Sequence, residues 1–226
     1  MMYRSGNLFL VFLSSVAFFI LSGCAGEKPN MVEVTTDFGD FTIRLYDETA
    51  KYRKNFIDLV QEGFYDSLLF HRVMPDLIIQ GGDPESKNAP KGKFLGRGNV
   101  DYTIRPDFRY VHTFGAISGA RKPDEVNPQK NSSGSQFFIV IGHSVTDQEL
   151  DKIQKEKGIQ YTPEQRRLYK LVGGIPQFDN EYSVFGEVTD GMDVVKKISR
   201  LRTDPNDRPV EDVRMYMKIA DKSNEE

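Results

Sequence analysis

Hydrophobic and polar residues alternate along several short stretches of the chain, a pattern typical of β-strands that bury one face. Residues 31–36 and 41–45 alternate in this way, and the turn-forming residues between them predict a β-hairpin. Alternation, or a short apolar run bounded by turn residues, predicts further strands at 70–82, 113–120, 132–142, 182–188 and 212–220. The chain is therefore predicted to be mainly β.

Apolar residues follow helical spacing in two other stretches. Within 48–62 they recur at i, i+4, i+7 and i+8 from Tyr52, and Gly63 follows as a C′ residue. A second helix is predicted over 190–198. Seven or more strands with few helices indicate a single domain built as a closed antiparallel barrel.

The region 146–172 interrupts this β pattern with a highly charged sequence. The four residues that begin at Thr146 fit a capping box with Glu149, and Thr162 with Pro163 repeats the signal for a helix start. Because charges dominate both pieces, we predict a short helical insertion: two surface helices that form a solvated excursion from the barrel.

The overall composition is that of an ordinary globular protein of 226 residues, with 38% hydrophobic and 28% charged residues. The abundance of Phe, 16 residues, and the lack of Trp suggest a phenylalanine-rich core. The formal net charge of −3 argues against a nucleic-acid partner, for which a basic face is expected. The histidines His71, His112 and His143 show no paired ligand spacing, so neither a metal site nor another cofactor is expected.

The amino terminus resembles the signal peptide of a bacterial lipoprotein. Arg4 precedes an apolar run at 8–21, which is too short and wrongly flanked for an ordinary membrane-spanning helix. The run leads into Leu21-Ser22-Gly23-Cys24, which is similar to a lipobox, where cleavage leaves the Cys24 thiol lipidated. We therefore expect a lipoprotein signal peptide at 1–23, lipidated Cys24 with its tether at 24–30, and the folded domain at 31–222.

This interpretation places the protein in the cell envelope, anchored outside the cytoplasm to a membrane through lipidated Cys24. Stable anchoring takes more than one acyl chain, and lipoproteins of this kind carry several, of the palmitate type. The alternative is a leftover cysteine in an ordinary signal peptide. Cys24 is the single cysteine of the chain, so neither an internal disulfide nor a thiolate metal cluster is expected.

The stretch 70–83 carries polar residues that core packing does not require. Arg72 and Gln80 alternate with apolar neighbours, and a strand sends alternate residues to opposite faces. One face can therefore pack in the core while the other offers a guanidinium, an amide and some apolar surface. Taken alone, the stretch favours a strand with one solvated arginine. His71 lies beside Arg72 but on the opposite face, so we expect a structural role for it.

Four motifs change that interpretation, because they occur together in the order of a known family: Phe70-His71-Arg72-Val73, Gln80-Gly81-Gly82-Asp83, Gly134-Ser135-Gln136-Phe137-Phe138 and Val184-Phe185-Gly186-Glu187-Val188. Over roughly 31–221 the chain resembles the cyclophilin-type peptidyl-prolyl cis-trans isomerases. The resemblance implies a closed eight-stranded antiparallel β-barrel capped by two helices, those predicted at 48–62 and 190–198. It also implies rotation about X-Pro bonds as the reaction, without a cofactor.

The resemblance also assigns site residues. Arg72 would donate to the proline nitrogen of the twisted amide, and Gln80 is the second catalytic residue implied. The substrate-binding residues implied are Leu77, Ile78, Ala120, Arg121, Gln136, Phe138, Phe178 and Tyr182. Within that set, the pocket walls for the proline ring are Leu77, Ile78, Phe138 and Phe178. Gln80 and Gln136 would orient Arg72 or the substrate amide, while Ala120 and Arg121 would lie beside the substrate backbone.

Several positions depart from the family pattern. Leu77 stands where the family usually has Phe, and Tyr182 stands where many members have His. Gln177 stands where some members have a Trp associated with cyclosporin binding. We therefore expect a smaller pocket wall and weak inhibition by cyclosporin.

The leading hypothesis is a monomeric prolyl isomerase that binds proline-containing segments of exported proteins and assists their folding. The alternative is a low-turnover chaperone or scaffold that holds such segments on the same fold. It is kept open by Leu77 and by two insertions that flank the groove, at 121–133 and 146–171. A hydrolase is disfavoured, because no Ser lies in a Gly-x-Ser-x-Gly sequence and Cys24 belongs to the lipobox.

Overall fold

The computed structural model describes residues 30–220, which contain eleven β-strands and four α-helices. The strands are β1 (Met31–Thr36), β2 (Gly39–Leu45), β3 (Leu68–Leu69), β4 (Arg72–Met74), β5 (Ile78–Gly81), β6 (Thr103–Ile104), β7 (Ala116–Gly119), β8 (Ser132–Ser133), β9 (Phe137–Val140), β10 (Val184–Asp190) and β11 (Arg214–Ile219). The helices are α1 (Ala50–Gln61), α2 (Asp147–Lys157), α3 (Pro163–Val172) and α4 (Met192–Ser199). None of these helices has the length and apolar character needed to cross a bilayer. The predicted signal peptide and the lipidated Cys24 lie outside the described residues.

Nine of the strands form one antiparallel sheet in the order β3-β11-β1-β2-β10-β7-β9-β5-β4, while β6 and β8 pair separately. The two end strands, β3 and β4, are separated in the chain only by Phe70 and His71. The sheet therefore curls until its ends meet, as in a barrel. The mainly β prediction is confirmed. The expected count of eight strands is corrected, because within 30–220 the curled sheet has nine and no ladder joins β3 to β4.

Phenylalanines fill the interior of the curled sheet, as the composition suggested. Phe56 of α1 packs against Phe137 and Phe185 at ring-centroid distances of 5.4 and 5.6 Å. Phe70 meets Phe137 nearly edge-on at 6.2 Å. Helix α1 buries the stripe predicted from its spacing, and α4 buries Ile198 in the same core. The two helices predicted to cap the barrel therefore both pack on its apolar interior.

Helices α2 and α3 form the predicted insertion, but it is not simply solvated. Its apolar side chains make a small core of their own, which comprises Val145, Leu150, Ile153, Ile159, Tyr161 and Tyr169. Thr162 begins α3 with a complete capping box, as the signal predicted. The Thr146 hydroxyl accepts the backbone N–H of Glu149, but the Glu149 carboxylate bonds His143 and Gln177 and not the Thr146 N–H. The capping box predicted at Thr146 is therefore wrong.

Candidate active site

Four neighbouring strands align polar and aromatic side chains on the outer face of the sheet. Arg72 of β4 pairs with Gln80 of β5, and Gln80 pairs with Phe138 of β9. Phe138 in turn pairs with Ser118 of β7. Paired positions point to the same face, so these side chains form one row across the sheet. Ile79, next to Gln80, is fully buried in the interior, which confirms the predicted alternation.

A cavity of about 600 Å³ opens over this row. It is lined by nine of the ten residues assigned to the site: Arg72, Gln80, Leu77, Ile78, Ala120, Arg121, Phe138, Phe178 and Tyr182. The tenth, Gln136, lines an adjoining cavity of about 580 Å³. The two cavities share lining residues and form one groove. The groove also includes Met74, Phe94 and Asp207, which the sequence reasoning missed.

Three aromatic rings make the apolar end of the groove. Phe138 is 2% exposed, and the rings of Phe178 and Tyr182 meet it nearly edge-on at 5.7 and 5.3 Å. Edge-to-face contacts of this kind are favourable and hold rings in defined positions. Leu77 and Ile78 pack into the same cluster. The result is an apolar pocket with fixed walls, suited to a small ring such as that of proline.

Arg72 lies at the polar edge of this pocket and is held by Asp207. Its Nε donates to Asp207 Oδ2 over 3.2 Å. No other hydrogen bond of the guanidinium occurs within 30–220, so its terminal N–H groups are available to a substrate. The main chain of Asp207 is also fixed, since its carbonyl accepts the Val73 N–H at 2.8 Å. Asp207 is 135 residues away from Arg72 in the chain, and no sequence pattern links the two.

The two glutamines of the groove bind each other. Gln80 Nε2 donates to Gln136 Oε1 at 2.9 Å, and Gln136 Nε2 donates to the carbonyls of Gly96 and Gly98. These bonds fix both amide planes and leave Gln80 Oε1 without a partner in the described part of the chain. Asp207 holds Arg72 in the structure, and the orientation of a substrate amide by Gln80 and Gln136 stays a prediction.

Ala120 and Arg121 are engaged within the protein more than expected. The Ala120 N–H donates to the Gln136 carbonyl at 3.0 Å, and the Ala120 carbonyl accepts another main-chain N–H at 2.7 Å. Arg121 donates to Glu181, from Nε to the carbonyl at 2.6 Å and from Nη2 to the carboxylate at 2.9 Å. Its guanidinium also lies over the Tyr182 ring at 5.0 Å. Arg121 therefore supports the pocket wall, and its contact with a substrate backbone stays a prediction.

His71 is buried beside this site, with 2% of its surface exposed. Neither ring nitrogen has a hydrogen-bond partner among residues 30–220. Burial lowers the pKa of His71 to about 4, although the nearby Asp83 carboxylate acts in the opposite direction. The ring is therefore neutral near pH 7 and contributes no charge to chemistry at Arg72.

Comparisons with known proteins point to one family. Residues 31–218 match the family model described as cyclophilin type peptidyl-prolyl cis-trans isomerase. A peptidyl-prolyl cis-trans isomerase of Schizosaccharomyces pombe is 30% identical over 190 residues, which cover 84% of this chain and 97% of the relative. Another, from Arabidopsis thaliana, is 28% identical over 189 residues, covering 83% and 92%. The crystal structure of a Cryptosporidium parvum cyclophilin type isomerase has the same fold, with a TM-score of 0.60 at 23% identity, covering 86% of this chain and 99% of that one.

Proposed function

Because the chain belongs to the cyclophilin-type peptidyl-prolyl cis-trans isomerase family, we propose that the groove across β4, β5, β9 and β7 is its active site. The protein is a peptidyl-prolyl cis-trans isomerase, an enzyme that accelerates rotation about X-Pro bonds. One observation carries the assignment of the site: Arg72 and Phe138 flank Gln80 in a single row on one face of the sheet. A charged donor and an apolar pocket thus lie side by side.

The reaction needs a catalyst that favours a twisted amide. Rotation about the bond is opposed by amide resonance, with a barrier of about 18–20 kcal/mol. No covalent bond has to form or break, so the enzyme must bind the twisted amide more tightly than either planar isomer. In the twisted form the proline nitrogen regains a lone pair and can accept a hydrogen bond. The Arg72 guanidinium stays charged at neutral pH and is suited to donate to it.

The pocket supplies the positioning that this donor requires. Phe138, Phe178 and Tyr182 hold the proline ring while the residue before it rotates. Asp207 fixes Nε of Arg72, so the terminal N–H groups meet the proline nitrogen in a narrow range of geometries. The low-turnover chaperone has weaker support, because the donor and the pocket are aligned as catalysis requires.

An isomerisation assay on a short Ala-Pro or Gly-Pro peptide tests this function. We expect the wild-type protein to accelerate the exchange and Arg72→Ala to lower kcat/KM by about 10²–10³-fold, the usual cost of losing one transition-state donor. Arg44→Ala is the matched control, because Arg44 lies on β2 and pairs with Glu187 at the surface. A wild-type protein without activity refutes the enzyme, and full activity in Arg72→Ala refutes the mechanism.

The proposed setting is a membrane surface outside the cytoplasm. Its support is the resemblance of Leu21-Ser22-Gly23-Cys24 to a lipobox. The carbonyl of Asn30 accepts the Leu45 N–H at 2.7 Å, so the barrel begins immediately after the proposed tether. Residues 25–30 can reach about 20 Å when fully extended. A monomeric enzyme held at that distance would meet proline-containing segments of exported proteins as they fold.

Mass analysis of the processed amino terminus tests the anchor. We expect acyl groups on Cys24 as the first residue, and neither acylation nor cleavage at this position in a Cys24→Ser variant. An unmodified terminus at another residue would refute the anchor without affecting the enzyme.

A further inference from the structure

Two walls of the proline pocket belong to one short stretch of chain, residues 176–182, here named the pocket segment. It carries Phe178 and Tyr182, whose rings pack on Phe138. The side of the pocket segment away from the groove is bonded to the helical insertion 146–172. These bonds suggest that the insertion contributes to the shape of the pocket.

The buried carboxylate of Asp179 is the main link between the two. It is 2% exposed and follows Phe178 directly in the chain. Oδ1 accepts the main-chain N–H of His112 at 2.9 Å and lies 2.8 Å from His112 Nδ1. Oδ2 accepts the hydroxyls of Tyr161 at 2.8 Å and Tyr169 at 2.6 Å. A carboxylate has about four acceptor sites, so all are used, and both donors to Oδ2 come from the insertion.

His112 connects this carboxylate to the floor of the pocket. The imidazole is completely buried and stacks on the Phe138 ring, with centroids 6.3 Å apart and planes 15° apart. It also meets Phe178 edge-on at 5.9 Å. Because a carboxylate only accepts, His112 Nδ1 must donate to Asp179, which fixes the orientation of the ring. The insertion is thus joined to the pocket through one continuous set of contacts.

The exposed side of the pocket segment is bonded to the insertion as well. Lys157, at the end of α2, donates to the Gln177 carbonyl at 2.5 Å and to the Glu181 carboxylate at 3.2 Å. Glu149 of α2 accepts the Gln177 side-chain amide at 2.8 Å. Lys130, from the polar loop before β8, donates to Glu181 at 2.7 Å. Phe178 and Tyr182 therefore lie in a segment held from two sides.

We propose that the insertion is a support that positions Phe178 and Tyr182 for catalysis, with Tyr161 and Tyr169 as positioning residues that act through Asp179. Removing both hydroxyls leaves Asp179 Oδ2 buried without a partner, which is strongly unfavourable. The pocket segment must then shift or admit water, and Phe178 moves with it. Displacements of about 1 Å in positioning groups can cost up to 100-fold in rate. The inference rests on the proposed function of the groove.

The test compares the wild-type full chain, purified in detergent, with a double variant that carries both Tyr161→Phe and Tyr169→Phe. Tyr216→Phe is the control, because it removes the hydroxyl of a tyrosine that lies half exposed on β11. Circular dichroism first establishes a temperature at which every variant is folded, and kcat and KM for an Ala-Pro peptide are measured there. We expect kcat/KM of the double variant to fall about tenfold, mainly through a higher KM, because the pocket binds the ring in both ground and transition states. The control should match the wild type.

A second pair of variants examines the exposed bonds. Lys157→Met removes the cation that reaches the pocket segment. Lys152→Met, on the same helix, removes one that pairs with Glu156 at 3.9 Å and serves as its control. We expect about a twofold loss of kcat/KM for Lys157→Met, since partly exposed ion pairs contribute little, and none for Lys152→Met.

Two outcomes are decisive. A folded double variant with wild-type kcat/KM overturns the proposal, and so does an equal loss in Tyr216→Phe. If the insertion only stabilises the fold, the double variant unfolds at a lower temperature but keeps wild-type kcat/KM while it is folded. If the double variant does not fold, the single variant Tyr161→Phe, in which Tyr169 still donates to Asp179 Oδ2, should show a smaller loss of kcat/KM, and wild-type kcat/KM in it overturns the proposal.

Failure of the proposed function gives a different result, in which the wild type itself does not accelerate exchange. The Kd of the peptide, measured by NMR titration, then still tests whether the insertion positions Phe178 and Tyr182. A raised Kd in the double variant sustains the proposal, and an unchanged Kd overturns it.

Discussion

The ion pair between Arg72 and Asp207 predicts a non-additive effect on catalysis. The backbone of Asp207 is in the left-handed conformation, with φ of +62°, and Asn adopts this conformation more readily than most other residues. Asp207→Asn removes the negative charge beside Arg72 and keeps the carbonyl that accepts the Val73 N–H. The substitution therefore perturbs the orientation of the guanidinium without removing the donor itself.

The magnitude follows from the exposure of the pair. The side chains of Arg72 and Asp207 are 42% and 41% exposed, so solvent screens their attraction. Pairs of this kind contribute about 0.2–1 kcal/mol. If that free energy serves to hold Arg72 in place, its loss lowers kcat/KM by about 1.4- to 5-fold. Removal of the whole donor costs far more, about 10²–10³-fold.

A double-mutant cycle measures this coupling. We expect Asp207→Asn to lower kcat/KM a few-fold in the wild-type background and to have no effect in Arg72→Ala, because it acts only through the guanidinium. High salt should reduce the loss, since it screens an exposed pair. Asp37→Asn, in the hairpin between β1 and β2, is the control and should match the wild type. The same loss in both backgrounds, or a gain of activity in Asp207→Asn, would refute the reasoning.

Three further predictions concern the pocket and the buried histidine. Phe138→Ala should lower the free energy of unfolding, measured in urea, by about 3–5 kcal/mol, because it empties a buried aromatic site. The control Phe94→Ala, at an exposed position, should lower it by less than about 0.5 kcal/mol, and an equally small loss in Phe138→Ala would contradict the prediction. Leu77→Phe should lower KM for an Ala-Pro peptide about threefold, because it adds apolar surface to the pocket wall, and a higher KM would argue against that geometry. Burial depresses the pKa of His71 to about 4 in the folded state, whereas the unfolded chain binds this proton at about 6.5. The free energy of unfolding should therefore keep its full value above pH 6.5 and fall by about 3 kcal/mol as the pH falls towards 4. Urea unfolding across this range should show a weaker pH dependence in His71→Gln than in the wild type, and an unchanged dependence would contradict the prediction.

Patterns within the chain were enough to predict the strand alternation, the two capping helices and the family. Alternation in 70–82 placed Arg72 and Gln80 on one face and Ile79 on the other, because the pleat of a strand depends only on local period. The motif resemblance then identified ten of the residues that line the groove. Those residues include Phe178, which lies far along the chain from Arg72 and has no local pattern to mark it.

Which polar groups meet depends on how the chain packs in three dimensions. Asp207 reaches Arg72 from 135 residues away, and such a contact leaves no trace in local periodicity. The insertion was expected to be solvated because charges dominate its helices, yet the hydroxyls of Tyr161 and Tyr169 turn inward to a buried carboxylate. Periodicity records which face of an element is buried, whereas a hydrogen bond between distant segments depends on where the chain returns in space. The support behind the proline pocket is therefore a property of the fold and not of any one stretch.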